Sequence, residues 1–424
     1  MSETRNIVVL GASWGGLSFA HYYLKHIHSL AKAATPSVTY KLVLVDPSTH
    51  FFWRVGAPRT LVDVKALPQD QMFTPIAKCL KPYPADAYTI IQAEATGLDP
   101  LARTVTVSSK AGGQTETIPY YSLIIATGTK SPTPLTGLDG DYTHTLHAME
   151  EMNKRLAKAT DIIIAGGGPV AVETAGEIGE RFNASGKKIN ITIITANDKI
   201  LPVLRPALSA KAEKLLNKFG VTVLYKTRVT KAESASSGIK QANENGTGFG
   251  PPGSMDGRTT VHLDNGKTMT ADVYIPATGV TPNTSFLPET LVDSTGYVKT
   301  NKSTLRVDDA GPRVYCIGDV GNYSRGGILD CYAAIPCLAI NMTNDLALGF
   351  ANASEHTGPS KKDKIFTPDT SETQVVPVGR KGGVGAFNGW KLPGFAISMA
   401  KGKDYMIARR LEVTEGLKFK NASG

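Results

Sequence analysis

Two glycine-rich runs stand where a strand would turn into a helix. Gly11-Ala12-Ser13-Trp14-Gly15-Gly16 follows the apolar run 7–10, and Gly166-Gly167-Gly168-Pro169-Val170-Ala171 follows the run 161–165. Glycine at such a turn leaves bare backbone, so an anion can approach the free N–H groups and the positive end of the following helix. The chemistry expected is the binding of a dinucleotide pyrophosphate. The first run fits G-x-G-x-x-G with Ser13 in place of the middle glycine, a change a small side chain tolerates. The second fits the G-x-G-x-x-G/A form through Gly166, Gly168 and Ala171. Asp46 ends the strand after the first helix, where a carboxylate accepts hydrogen bonds from a ribose. The matching strand of the second unit ends in Thr195-Ala196-Asn197, with no acid. An acid there favours NAD over its 2′-phosphorylated form, so the choice between NADH and NADPH stays open, and nearby Lys199 is placed to help NADPH.

Elements of defined kind must hold these runs. Each belongs to a βαβ unit: strand 7–10, helix and strand 40–46 in the first, strand 161–165, helix 173–182 and strand 189–195 in the second. Two further apolar strands end alike, in Ala126-Thr127-Gly128 and in Ala277-Thr278-Gly279, and the run 314–317 leads into Gly318-Asp319 just before a helix. The fold class expected is α/β, with two Rossmann-like dinucleotide-binding domains and a small α+β C-terminal domain. Residues 1–135 and 280–350 form one split domain, 136–279 an inserted one and 360–424 a cap. The interval 234–258, rich in Ser, Gly, Asn and Pro, reads as a flexible insertion, and 351–364 as a linker. Strand-like runs are expected at 373–378 and 405–411.

Composition narrows the field. The 424 residues are 41% hydrophobic and 20% charged, enough for large cores and against global disorder. Net charge is +9, and residues 361–424 alone hold 12 Lys/Arg against 6 Asp/Glu, so a short tail carries most of the excess. Such a tail meets an anionic lipid surface, a nucleic acid or water; without an RNP-like or zinc-finger motif, nucleic acid is the weakest partner. The four cysteines, Cys79, Cys316, Cys331 and Cys337, form no CxxC pair and no zinc-spaced cluster, which argues against a disulfide scaffold and a structural metal site. A reducing, cytoplasmic compartment is expected, with no secretory or transit peptide before the first strand and, with Ser2 after the initiator Met, no N-myristoylation signal. The apolar stretch 331–350 is broken by Asn341, Asn344 and Asp345, so it reads as a buried helix.

The order of motifs (glycine turn, Ala-Thr-Gly, second glycine turn, Ala-Thr-Gly-Val-Thr-Pro-Asn, Ile-Gly-Asp) resembles the two-dinucleotide-binding-domain flavoproteins over roughly residues 5–345. That resemblance implies FAD in the split domain and NADH or NADPH in the inserted one. It assigns Gly11, Ala12, Ser13, Trp14, Gly15, Gly16, Asp46, Ala95, Ala126, Thr127, Gly128, Gly318 and Asp319 to FAD. Gly166, Gly168, Pro169, Val170, Ala171, Thr195 and Gly279 fall to NAD(P)H. Disulfide reductases of this fold carry a redox Cys pair after the first βαβ unit. Here that region reads Ser48-Thr49-His50-Phe51-Phe52-Trp53, and no cysteine precedes Cys79.

The run Val378-Gly379-Arg380-Lys381-Gly382-Gly383-Val384-Gly385 and the apolar residues after it are similar to the C-terminal domain of the apoptosis-inducing-factor-like, mitochondrion-associated family that includes ferroptosis suppressor protein. That likeness implies NAD(P)H:quinone oxidoreduction. It also implies an FAD contact by Arg59, a place for Glu173 on the nicotinamide side, and contact with a mitochondrial or lipid-droplet membrane. Other acceptors stay open: oxygen, or an aromatic or quinonoid metabolite. So does a redox-sensing role. His50 is a second catalytic candidate, set against a purely structural hydrogen-bonding role. The basic, aromatic-bearing run 390–410 suits a peripheral membrane face, or else packs on the flavin domain. A homodimer is compatible with the family. Removal of 379–424 is expected to spare flavin reduction while impairing quinone turnover.

Overall fold

The structure, a computed structural model, describes residues 3–109, 113–234, 258–347 and 363–421. The expected flexible insertion and most of the linker before residue 363 lie outside the described residues. Two parallel sheets organise the rest. The first runs in the order Val314–Cys316, Ser122–Ile125, Glu3–Leu10, Val38–Asp46, Tyr88–Gln92. The second runs Val221–Leu224, Asn190–Ile194, Asp161–Ala165, Val273–Pro276. Their interior strands are short runs of Ile, Val and Leu buried on both faces, as Ile7 and Val8, and Ile162 and Ile163, are, which is what a helix-covered parallel sheet demands. In each sheet the strand that feeds a glycine run occupies an interior place. The first sheet is completed by a strand that returns after the whole second unit, so both parts of the chain build it.

The helix after the first glycine run, Trp14–Tyr22, continues through Tyr23–Ile27 into His28–Ala34. The one after the second is Pro169–Ile178, starting four residues earlier than expected because Pro169 is an acceptable first helical residue. Helix Ile328–Ala347 carries Pro336 inside it and buries Cys331 and Cys337. Among the described residues, no helix is long and apolar enough to cross a membrane.

The C-terminal segment forms an antiparallel sheet, Gln374–Pro377, Gly383–Phe387 and Trp390–Lys391, followed by Gly394–Ile397 and the turn Ser398–Gly402. The strand expected at 405–411 is not one. Tyr405 and Met406 have φ of +52° and +55°, which breaks an extended run, and Ile407–Arg410 and Leu411–Thr414 are short helical turns. The alternating apolar residues wedge these turns against the rest of the protein instead. Val376, Val384, Tyr405, Val413 and Phe419 belong to the same continuous core as Ile7 and Ile164. A deletion of 379–424 would open that core, so this segment is no detachable cap.

Candidate functional site

Both glycine turns are shaped by the same contact. A Cβ on Gly11 (φ +98°) would stand 2.4 Å from the Ala126 carbonyl oxygen, and one on Gly166 (φ +125°) would stand 2.0 Å from that of Ala277. Each Ala-Thr-Gly strand end thus lies directly against the first glycine of the neighbouring turn, and only glycine allows it. Gly16 is tighter still, with a Cβ placed 1.8 Å from the Gly11 oxygen. The other side is open: nothing lies within 4 Å of where a Cβ would stand on Gly128, Gly168, Gly279 or Gly318. All four sit at the carboxyl ends of the two parallel sheets, where dinucleotides bind in such folds. Bare backbone facing free space above a helix N-terminus fits FAD at the first sheet and NAD(P)H at the second.

Around the first turn, Ser13 precedes helix Trp14–Tyr22 in an extended conformation with no side-chain cap, which leaves its N–H groups for an anion. Both oxygens of Asp46 accept backbone N–H groups, from Ala12 at 2.6 Å and Ser48 at 2.7 Å, each oxygen keeping a second lone pair for a ribose hydroxyl. Burial pushes the Asp46 carboxyl up to about 6, against those two hydrogen bonds. Gly15 packs on Ile317, and the Trp14 indole joins Trp53, Tyr332 and Phe51 in an aromatic cluster. Thr127 is locked to Asn283 through its hydroxyl and its carbonyl, both at 2.8 Å, which ties the first Ala-Thr-Gly run to the Thr-Pro-Asn that follows the second. Ala95 lies half-buried in strand Glu94–Asp99, next after the sheet's edge strand. Asp319 accepts the Gly327 N–H at 2.9 Å, and the Gly318 N–H donates to the Tyr323 hydroxyl at 2.8 Å.

At the second turn Gly168 caps helix Pro169–Ile178, and Val170 is exposed in its first turn. Thr195 is buried beneath Gly167, so it shapes the turn's floor. One turn further along, Glu173 and Glu177 share the helix face that meets the C-terminal segment. Lys401 donates to Glu173 at 2.5 Å. Arg59 grips Glu177 with two N–H groups at 2.8 and 2.9 Å, and the Tyr405 hydroxyl donates to the same carboxylate at 3.2 Å. Both carboxylates are buried. Burial pushes the Glu173 carboxyl up to about 7, with the Lys401 ammonium opposing. Lys401, Tyr405 and Glu177 were not legible as site residues, because their partners lie far away in sequence.

The chain matches the pyridine nucleotide-disulphide oxidoreductase family over residues 5–336. It belongs to that family. It is thus an FAD-dependent oxidoreductase that takes NADH or NADPH. It is 40% identical to oxidoreductase phnG of Penicillium herquei over 98% of this chain and 96% of that one. Likeness to ferroptosis suppressor protein 1 of Xenopus tropicalis is lower, 24% over 96% of each. Among solved structures, NDH2 of Plasmodium falciparum in complex with NADH superposes with a TM-score of 0.65 at 15% identity, covering 99% of both chains, which is a likeness of fold. The chain spans 60% and 62% of the length of two longer solved relatives, from Bacillus anthracis and A. fulgidus.

Three further candidates have well-defined surroundings. Besides Glu177, Arg59 donates to the carbonyls of Lys403 at 2.6 Å and Gly402 at 2.7 Å and stacks over Tyr405. It is an internal tie between three parts of the protein. His50 packs its ring on Tyr142 with centroids 3.7 Å apart and pairs with the Thr49 hydroxyl at 2.8 Å, and burial lowers its pKa. Those contacts are the kind that the purely structural alternative for His50 requires. Lys199 donates to the carbonyls of Pro202 and Leu204. Asp319 directly follows Gly318, whose backbone faces open space. Asp319→Ala is expected to yield folded protein with less than about a tenth of the FAD, since a charge-assisted hydrogen bond is worth about 1.5–3 kcal/mol; full flavin occupancy after purification would contradict the placement.

Proposed function

We propose that the protein passes reducing equivalents from NADH or NADPH through FAD to a quinone of the ubiquinone type, without a redox-active disulfide. The reading is supported by one observation: the segment 48–53, where a redox pair would stand, holds no cysteine. All four cysteines are free and buried. Cys79, the first of them, donates to the Pro75 carbonyl, and burial pushes its thiol up to about 12, far from the thiolate that exchange requires. That segment reads Ser48-Thr49-His50-Phe51-Phe52-Trp53.

FAD, when bound, supplies hydride acceptance from the nicotinamide and electron donation to the quinone. The protein's residues do the rest. The two glycine turns bind the pyrophosphates. Glu173, on the helix that the second turn opens, pairs with Lys401 of the turn Ser398–Gly402, where its carboxyl can hold a proton near neutrality. The C-terminal segment covers that pair and keeps water from it.

A lipid-dissolved acceptor suits the outer surface of the same segment. Phe387, Trp390, Phe395 and Met399 are 49%, 80%, 69% and 75% exposed, with exposed Lys391 and Lys403 among them. Phe387 and Trp390 are direct cross-strand partners, and Phe395 and Met399 lie one turn apart, so each pair shares a face. Apolar side chains flanked by lysines bind an anionic lipid surface, as insertion and charge attraction add together.

Anaerobic addition of NADH or NADPH, then of a short-chain ubiquinone, tests the reading. Bleaching of the flavin band and its recovery with quinone, at least about tenfold faster than with air, is the expected result. Bleaching that quinone reverses no faster than air would transfer the role to oxygen, to an aromatic or quinonoid metabolite, or to redox sensing.

A further inference from the structure

Two arginines at the amino ends of the first sheet differ from the protein's other sheltered arginines. Arg313 directly precedes strand Val314–Cys316, and Arg103 closes the turn between strands Glu94–Asp99 and Thr104–Ser108. Both donate to one oxygen, the Tyr121 carbonyl, Arg103 through a terminal nitrogen at 2.7 Å and Arg313 through Nε at 3.0 Å. Arg103 also donates to the Pro312 carbonyl at 2.9 Å. The Arg103 guanidinium lies 4.7 Å from the centre of the Tyr120 ring, and that of Arg313 lies 4.1 Å from the centre of the Tyr121 ring. One acceptor shared by two cations holds them close despite their repulsion. Burial, joined by the Arg313 charge, lowers the Arg103 pKa.

The backbone is bent to bring them there. Arg103 has φ +55° and Arg313 φ +60°, in the left-handed region that costs a residue with a Cβ about 1 kcal/mol or more. Two strained residues from distant parts of the chain thus converge on one carbonyl, and no carboxylate offsets their charge. Arg5, Arg59 and Arg306 hold carboxylates at 2.8, 2.8 and 2.7 Å. Among the described residues, neither Arg103 nor Arg313 forms an ion pair. Asp99, at the other end of the hairpin turn, accepts the N–H groups of Leu101 and Ala102, and Glu3 is taken by Arg5. The buried hydroxyl oxygens of Tyr120 and Tyr121 also have no partner among the described residues. Two uncompensated charges match a dianion better than a carboxylate. A phosphate group carries about −1.5 to −2 charges near neutral pH, and guanidinium forks fit its oxygens.

We propose that Arg103 and Arg313 form a phosphate-binding site at the amino ends of the first sheet, for orthophosphate or a small phosphate monoester. It lies at the far end of the sheet from the glycine turns, since the four residues of Ser122–Ile125 alone span about 13 Å. A phosphate there ties the hairpin to the strand that returns after the inserted unit, and so strengthens the closure of the split domain. The site is independent of which acceptor the enzyme uses.

The test is thermal unfolding of the holoenzyme in excess FAD and NAD+, so that neither glycine turn is free for phosphate, at an ionic strength held constant with NaCl. Orthophosphate and glycerol phosphate are each expected to raise the melting temperature by a few degrees along a saturating curve. The one with the lower midpoint is nearer to the natural ligand. Acetate, with one charge, should need at least about tenfold more. Arg103→Met and Arg313→Met are each expected to raise the phosphate midpoint at least about tenfold, the range of a charge-assisted hydrogen bond, whatever their melting temperature without phosphate. Arg313→Lys keeps the charge but not the fork and should fall between wild type and Arg313→Met. A curve that does not saturate, that acetate reproduces, or that persists unchanged in both Met variants would overturn the proposal, the last because it leaves the two arginines a purely structural role.

Discussion

Lys401→Met is expected to cost about 3–5 kcal/mol of stability at pH 9, the penalty for leaving a buried charge without its partner. At pH 6 the loss should fall to about 1 kcal/mol or less, because Glu173 escapes by taking a proton. The sign follows from the wild-type site. Burial already raises the Glu173 carboxyl from 4.5 to about 7, and Lys401 is what holds it that low. A carboxyl raised on folding favours the native state fully below its unfolded pKa, and that advantage is lost as pH rises through the folded value. In the wild type the loss runs from about pH 4.5 to pH 7. Without the ammonium the folded value moves higher, so the loss continues into the alkaline range. Urea unfolding at both pH values separates this from a packing defect, which would cost the same at each. A double change, Glu173→Gln with Lys401→Met, removes both charges and should restore most of the alkaline stability. The same pair joins the dinucleotide helix to the C-terminal segment, so flavin reduction should slow in the single variant and follow the same pH dependence.

What could be read in the chain's own pattern was governed by local backbone demands. Gly11 and Gly166 were legible because a strand-to-helix turn that grazes a neighbouring carbonyl needs glycine, whatever surrounds it. The parallel strands were legible as short runs of Ile, Val and Leu. The ionic cluster was not, because Glu173 and Lys401 lie 228 residues apart and Arg59 meets Lys403 across 344. Nothing local in Ala400-Lys401-Gly402-Lys403 distinguishes a buried ammonium from a solvated one. At Tyr405, alternation suggested a strand, whereas burial of Tyr405 and Ile407 is achieved by turns of positive φ pressed on the helices beneath. Periodicity records which side chains are buried, and several backbone paths can bury the same ones.

The second turn offers the sharpest separation of binding from folding. Gly168 has φ −81°, a conformation open to any residue, and nothing lies within 4 Å of the position its Cβ would take. Gly168→Ala should therefore leave the melting temperature and the flavin content unchanged, or raise the former slightly through the lost freedom of the unfolded chain. A methyl group there stands where the NAD(P)H pyrophosphate must approach the backbone, and displacing reacting partners by about an ångström costs on the order of a hundredfold. The KM for NADH or NADPH is expected to rise roughly 10- to 100-fold, with flavin reoxidation unaffected. Gly16→Ala makes the opposite case, since its Cβ would lie 1.8 Å from the Gly11 oxygen and the turn would have to move. That variant should lose more than about 3 kcal/mol and its FAD together. If Gly168→Ala kept the wild-type KM for both donors, the dinucleotide would not lie over this turn, and the open backbone at Gly168 and Gly279 would need another occupant.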